Sequence, residues 1–102
     1  MFNFEKLDVW QKAIAFADMT YTETQAFPTE ERFVLTNQLR RAVSISSNIA
    51  EGSYRSSKND FARFVEIAAG SVFEAVSQAF IARRQSFLSE KQFRKIYTEA
   101  EC

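Results

Sequence analysis

One proline and two glycines are the only strong breakers in this chain of 102 residues, and no stretch alternates apolar and polar residues between turn signals. Strands therefore have little support, and the chain has to fold from helices. The run Arg40-Arg41-Ala42-Val43-Ser44-Ile45-Ser46-Ser47-Asn48-Ile49-Ala50-Glu51-Gly52 shows how the helices are organised. With each residue advancing roughly 100° around a helix, Leu35, Leu39, Ala42, Val43, Ile45, Ser46, Ile49 and Ala50 share one broad arc. Asn37, Arg40, Arg41, Ser44, Ser47, Asn48 and Glu51 fill the opposite arc. The apolar arc needs a core to lie against. The polar arc is either a binding strip or a packed polar seam.

Start and stop signals divide the chain into four helices. Asp8, with Gln11 three residues on, reads as a capping pair opening a first helix that ends near Thr24. Phe27-Pro28-Thr29 is the break that follows, with Thr29 as the next cap and Glu30 and Glu31 suited to the positive end of helix two. Helix two runs to about Glu51 or Tyr54. Gly52 is free to take the left-handed conformation at its end, and Ser57, three residues before Asp60, opens helix three. That helix, from Phe61 to about Arg84, carries the stripe Phe61, Phe64, Val65, Ala68, Val72, Ala75, Val76 and Ala79. Ala69, Phe73 and Phe80 widen the stripe beyond what a peripheral bundle helix needs. A break at Gln85-Ser86-Phe87-Leu88 leads to Ser89, paired with Gln92, and to a short fourth helix bearing Phe93, Ile96 and Tyr97. The expected fold is all-α: one domain over 1–102, an antiparallel up-down four-helix bundle whose last helix is too short to cover the whole core.

Composition removes many functions. Hydrophobic residues make up 46% of the chain and eleven are Phe, which places it far from disorder. Thirteen basic residues balance thirteen acidic ones, so nucleic acid would have to be held by a local patch rather than a long-range field. There is no histidine, which excludes His-based acid/base and nucleophilic sites and the commonest metal ligand. The single cysteine, Cys102, allows no internal disulfide. No cofactor, metal, small-molecule substrate or enzymatic activity is expected. No unbroken run of about 18 apolar residues suggests a membrane span, and the expected location is the cytoplasm.

Three groups of residues are candidate sites. Arg40, Arg41, Arg55 and Lys58, with Tyr54 as a stacking group, could hold a phosphate or single-stranded RNA. Alternatively Arg41, Asn48, Glu51 and Glu74 form an inter-helix polar network, with Gly70 permitting close approach. Phe73 and Phe80, seven residues apart and nearly on one side of helix three, are the expected oligomer interface.

The pattern Leu7-x-Val9-Trp10-Gln11-Lys12-Ala13, then Phe27-Pro28-x-x-Glu31-x-Phe33-x-Leu35, then Gln38-Leu39-Arg40-Arg41-Ala42 and Ser44-Ile45-x-Ser47-Asn48-Ile49-Ala50-Glu51-Gly52 resembles the four-helix-bundle proteins encoded within intervening sequences of bacterial 23S rRNA genes. It continues through Phe64-x-x-Ile67-Ala68-x-Gly70-Ser71-x-x-Glu74 and covers nearly the whole chain. The resemblance implies a bacterial source, a four-helix bundle and a homo-oligomer, typically a pentamer, without catalytic activity. The chain resembles more remotely the accessory proteins of diversity-generating retroelements, which bind nucleic acid and a reverse transcriptase. Ser46 stands where the family pattern has proline, which implies a straighter second helix. The expected function is a homo-oligomeric binding or scaffold protein that engages RNA or an RNA-processing partner. The alternative is a protein-interaction bundle with no nucleic-acid role.

Overall fold

The computed structural model describes residues 2–25, 27, 33–41, 43–55 and 57–101, with 33–35, 38 and 43 described by their backbone. The break at Pro28 and Thr29, Glu30, Glu31, Ala42, Ser56 and Cys102 lie outside the described residues. Five helical segments build four arms: α1 (Asp8–Thr24), α2 (Phe33–Arg40) and α3 (Val43–Tyr54) as one arm, α4 (Lys58–Arg84) and α5 (Glu90–Glu101). A 3-10 turn at Asn3–Lys6 precedes them and packs on α1 and α3. Among the described residues there is no strand.

Contacts at both ends of each pair fix an up-down-up-down order. Lys95 Nζ lies 3.6 Å from Glu23, whereas Glu99 and Ala100 share a cleft with Val9 and Lys12, so α5 runs antiparallel to α1. Arg41 meets Glu74, whereas Gly52 abuts Phe61 and Phe64, so α3 runs antiparallel to α4. The core is Phe16 and Ala13 of α1, Leu39 of α2, Ile45 and Ile49 of α3, Ala68, Ala75, Ala79 and Ala82 of α4, and Phe93 and Ile96 of α5. Four alanines on the buried stripe of α4 let the other arms approach it closely, because the spacing between helices is set by the side chains at the contact.

Helix ends follow the sequence in part. Ser57 Oγ accepts from the Asn59 and Asp60 backbone N–H groups at 3.1 and 3.2 Å, and α4 begins at Lys58. Ser89 and Gln92 form a reciprocal box, with Ser89 N–H to Gln92 Oε1 at 2.9 Å and Gln92 N–H to Ser89 Oγ at 3.1 Å. Asp8 and Gln11 do not pair. Leu7 occupies the cap position of α1, Asp8 instead faces Lys12 at 3.8 Å, and Gln11 Nε2 donates to the Glu5 carbonyl at 2.9 Å. The 3-10 turn places that carbonyl where Gln11 reaches it.

Three expectations change. The second arm is two helical segments rather than one: Arg41 stands in a turn between α2 and α3, its N–H bonded to the Asn37 carbonyl at 3.0 Å and its own carbonyl accepting from Ser44 at 2.8 Å, while Ser46 lies within α3. Gly52 does not end a helix in the left-handed region; no described glycine has positive φ, and α3 continues to Tyr54. Gly52 is instead the close-approach point, because a Cβ there would lie 2.6 Å from Phe64 Cβ and 3.1 Å from Phe61 Cδ1. The left-handed residue is Ser86, φ 64°. There Phe87 N–H bonds to the Ala82 carbonyl at 2.8 Å and Ser86 N–H to the Arg83 carbonyl at 3.0 Å, the paired bonds of a Schellman stop.

Candidate functional site

α4 spans 27 residues and α5 only 12, roughly 40 and 18 Å of helix, so α5 shields α4 along less than half its length. Where α5 is present the packing is dense. Phe80 meets Phe93 edge-on at 4.8 Å and Tyr97 at 6.2 Å. The Arg83 guanidinium lies 4.1 Å from the Phe93 ring centroid and 5.2 Å from that of Phe80, while Nη1 reaches Glu90 Oε2 at 3.1 Å. The cation thus lies against a pair of touching rings while it pairs with a carboxylate.

Beyond the last turn of α5 the groove between α1 and α4 stands open. It is a cleft of about 300 Å³ floored by Phe16, Ile45, Ile49 and Ala68 and rimmed by Val9, Lys12, Ala69, Phe73 and Glu99. Phe73 is 76% exposed there, against 38% for Phe80. On the outer side of α4, Ile67 and Ile81 are also exposed. α4 contains an 18-residue window of mean hydropathy 1.4, of which 17% is buried. By length and composition alone such a helix could cross a membrane. The sequence shows no unbroken apolar run because Glu66 and Glu74 interrupt it, and carboxylates at mid-helix are expensive in lipid. Burial against protein fits this face better.

The proposed cationic patch is divided. Arg40 and Arg41 lie at the junction of α2 and α3, whereas Tyr54, Arg55 and Lys58 lie at the far end of α3, roughly 20 Å away at the helical rise. Arg40 is engaged within the fold: Nε donates to Thr24 Oγ1 at 2.9 Å and the guanidinium sits 5.1 Å over the Tyr21 ring. Arg55 lies 5.3 Å from the Phe64 ring centroid and 4.0 Å from Glu51. Tyr54, 84% exposed, projects beside it. A second cleft of about 300 Å³ adjoins this corner, lined by Asn3, Leu7, Gly52, Ser53, Arg55, Ser57, Lys58 and Phe61.

The polar network is likewise not one cluster. Arg41 Nη1 and Glu74 Oε1 meet at 3.7 Å between the second and third arms, both side chains more than half exposed. Asn48 Nδ2 donates to the Ser44 carbonyl of its own helix at 2.9 Å, and Glu51 pairs with Arg55. Gly70 touches none of them: nothing lies within 4 Å of the place a Cβ would occupy. Glu51 and Glu74 do not form a carboxylate pair, and no group of three acidic or thiol ligands suited to a metal occurs among the described residues. Sequence reasoning missed the Arg83–Glu90–Phe93 cluster, for which the spacing of Arg83 and Glu90 across a turn offered only a weak signal.

A family model described as 23S rRNA-intervening sequence protein matches residues 5–102. A crystal structure of a protein of unknown function, from the S23 ribosomal protein family of Bacteroides thetaiotaomicron, has the same fold, with a TM-score of 0.83 and 24% identity over 91% of this chain and 88% of that one. No curated protein matches the chain.

Proposed function

Because the chain belongs to the 23S rRNA-intervening sequence protein family and its longest helix exposes Ile67, Phe73, Phe80 and Ile81, we propose that it is a homo-oligomeric helical scaffold whose subunits join through α4. The observation that carries this reading is the contrast between the hydropathy of α4 and its 17% burial. A soluble monomer rarely leaves a contiguous apolar surface of that extent in water, and covering a single Phe contributes roughly 1.5–3 kcal/mol. A pentameric ring is the assembly that the family resemblance implies. The reading assigns no catalytic step, needs no cofactor and places the protein in the cytoplasm. Light scattering of the wild-type protein at micromolar concentration is the test: a mass of several subunits supports the scaffold, and a monomer at high micromolar concentration removes it.

RNA binding is a second reading, favoured by one observation: the exposed Tyr54 ring beside Arg55 and Lys58. An aromatic platform flanked by cations suits a single strand, and repetition around a closed oligomer would add avidity. Arg40 is excluded from this site by its bonds to Thr24 and Tyr21. Titration with ribosomal-RNA fragments should show binding that weakens with salt, and Arg55→Ala with Lys58→Ala should reduce both affinity and salt dependence. Absence of binding at low salt leaves the scaffold as the whole function.

A further inference from the structure

The two clefts described above differ in charge. The one beside Phe73 is rimmed by a cation and a carboxylate, Lys12 and Glu99. The one at the far end of α3 is lined by two cations, Arg55 and Lys58, and by no carboxylate among the described residues. Its apolar lining is Leu7, just before α1, and Phe61 of α4, both half-buried. A volume of about 300 Å³ stands at the small end of ligand pockets, enough for one small ring system. Its polar groups differ in availability. Ser53 Oγ donates to the Ala50 carbonyl at 2.8 Å and Ser57 Oγ caps α4, so both are committed. The Asn3 side-chain amide and the Lys58 ammonium have no partner among the described residues. Arg55 is steadied by the Phe64 ring and meets Glu51 only through Nε, at 4.0 Å, which leaves its two Nη groups without a carboxylate among the described residues.

Resting on the RNA-binding reading above, we propose that this cleft holds one nucleotide, its base against Leu7 and Phe61 with an edge on the Asn3 amide and its phosphate on Arg55 and Lys58. An amide both donates and accepts, as the edge of a nucleobase requires, and the two cations supply charge-assisted bonds to a phosphate. A purely apolar ligand would leave the cations unused, and a bare anion would leave the apolar lining unused. Tyr54 stands between two lining residues in sequence, yet it is 84% exposed and lies outside the cleft, where the next base of a single strand can stack. A free nucleotide and one unit of a strand share this chemistry, and Tyr54 tells them apart.

The test titrates the protein at low salt with uridine 5′-monophosphate, uridine, inorganic phosphate and a single-stranded oligouridine, followed by amide NMR. The monophosphate should bind about tenfold more tightly than uridine or phosphate alone, with shifts centred on Asn3, Gly52, Ser53 and Lys58. Asn3→Ala should weaken it about fivefold and Lys58→Ala about tenfold, whereas Tyr54→Ala should weaken only the oligonucleotide. Asn3 and Lys58 are exposed, so both variants should keep wild-type helicity by circular dichroism. Oligouridine binding that Asn3→Ala leaves unchanged, with no shift at Gly52 and Ser53, overturns the cleft and leaves RNA binding standing. Phosphate binding as tight as the monophosphate overturns it as well. A monophosphate that binds while the oligonucleotide does not supports the cleft and removes the strand. No binding of any probe overturns both. Should Asn3→Ala fail to fold, wild-type shifts confined to Tyr54 and Arg55 are sufficient to overturn the cleft.

Discussion

Phe80 and Phe73 lie two helical turns apart on nearly the same side of α4, yet one is part of the fold and the other is not. Phe80 is gripped by Phe93, Tyr97 and Arg83; Phe73 overlooks an open cleft. The difference lies in what packs beside each ring: Phe93 and Tyr97 of α5 lie against Phe80, and a cleft lies against Phe73. At the closed end four arms enclose buried Ile96 and Phe93 and bring Glu23 to Lys95. At the other end α1, α3 and α4 line a cleft with Phe16, Ile45, Ile49, Ala68 and Phe73. The stripe on α4 leaves Ile67, Phe73 and Ile81 exposed, and that apolar surface is the physical case for the proposed assembly.

The largest break in the comparison should come from the closed end. Ile96→Ala removes a fully buried side chain and should cost about 2–5 kcal/mol of subunit stability by denaturant unfolding; a cost below that range would mean that α5 is loosely docked. Next is Gly52→Ala, which forces a Cβ against Phe64 and should cost about 1–3 kcal/mol, showing that the α3–α4 seam is tight even at the open end. The matched pair sharpens the contrast further. Phe80→Ala should lower the stability of the dissociated subunit by about 1–2 kcal/mol through lost ring contacts, whereas Phe73→Ala should leave it within about 0.5 kcal/mol and act on association. Equal effects of the two on the isolated subunit would erase the distinction between the ends. The smallest effect is stabilising: Ser86→Gly relieves a positive φ and should raise stability by about 0.5–1 kcal/mol, read as a small upward shift in Tm.

The fold was legible because its signals are local. The Ser57 cap, the Ser89–Gln92 box, the end of α1 at Thr24 and the alanine stripe of α4 all follow from spacing and side-chain chemistry within a few residues. The turn at Arg41 carries no glycine or proline to announce it. Gly52 holds the close-approach role expected of Gly70, because a helical glycine's purpose depends on what another helix brings to it, which spacing along one helix does not reveal. Arg40 and Asn48 were legible as polar positions but not as partners, since Thr24 and the Ser44 carbonyl compete for them at shorter range than any seam. The candidate interface was half legible: periodicity placed Phe73 and Phe80 together, but Phe93 and Tyr97 pack on Phe80 whereas Phe73 is 76% exposed.

If a second subunit covers the cleft beside Phe73, as proposed, association must depend on that exposed ring. Sedimentation velocity of Phe73→Glu beside the wild type tests it most directly. Wild type should sediment at several subunits in mass, and the Phe73→Glu protein should be folded, by circular dichroism, but monomeric or sharply weakened in association. A Phe73→Glu protein that sediments as the same assembly as wild type would contradict it.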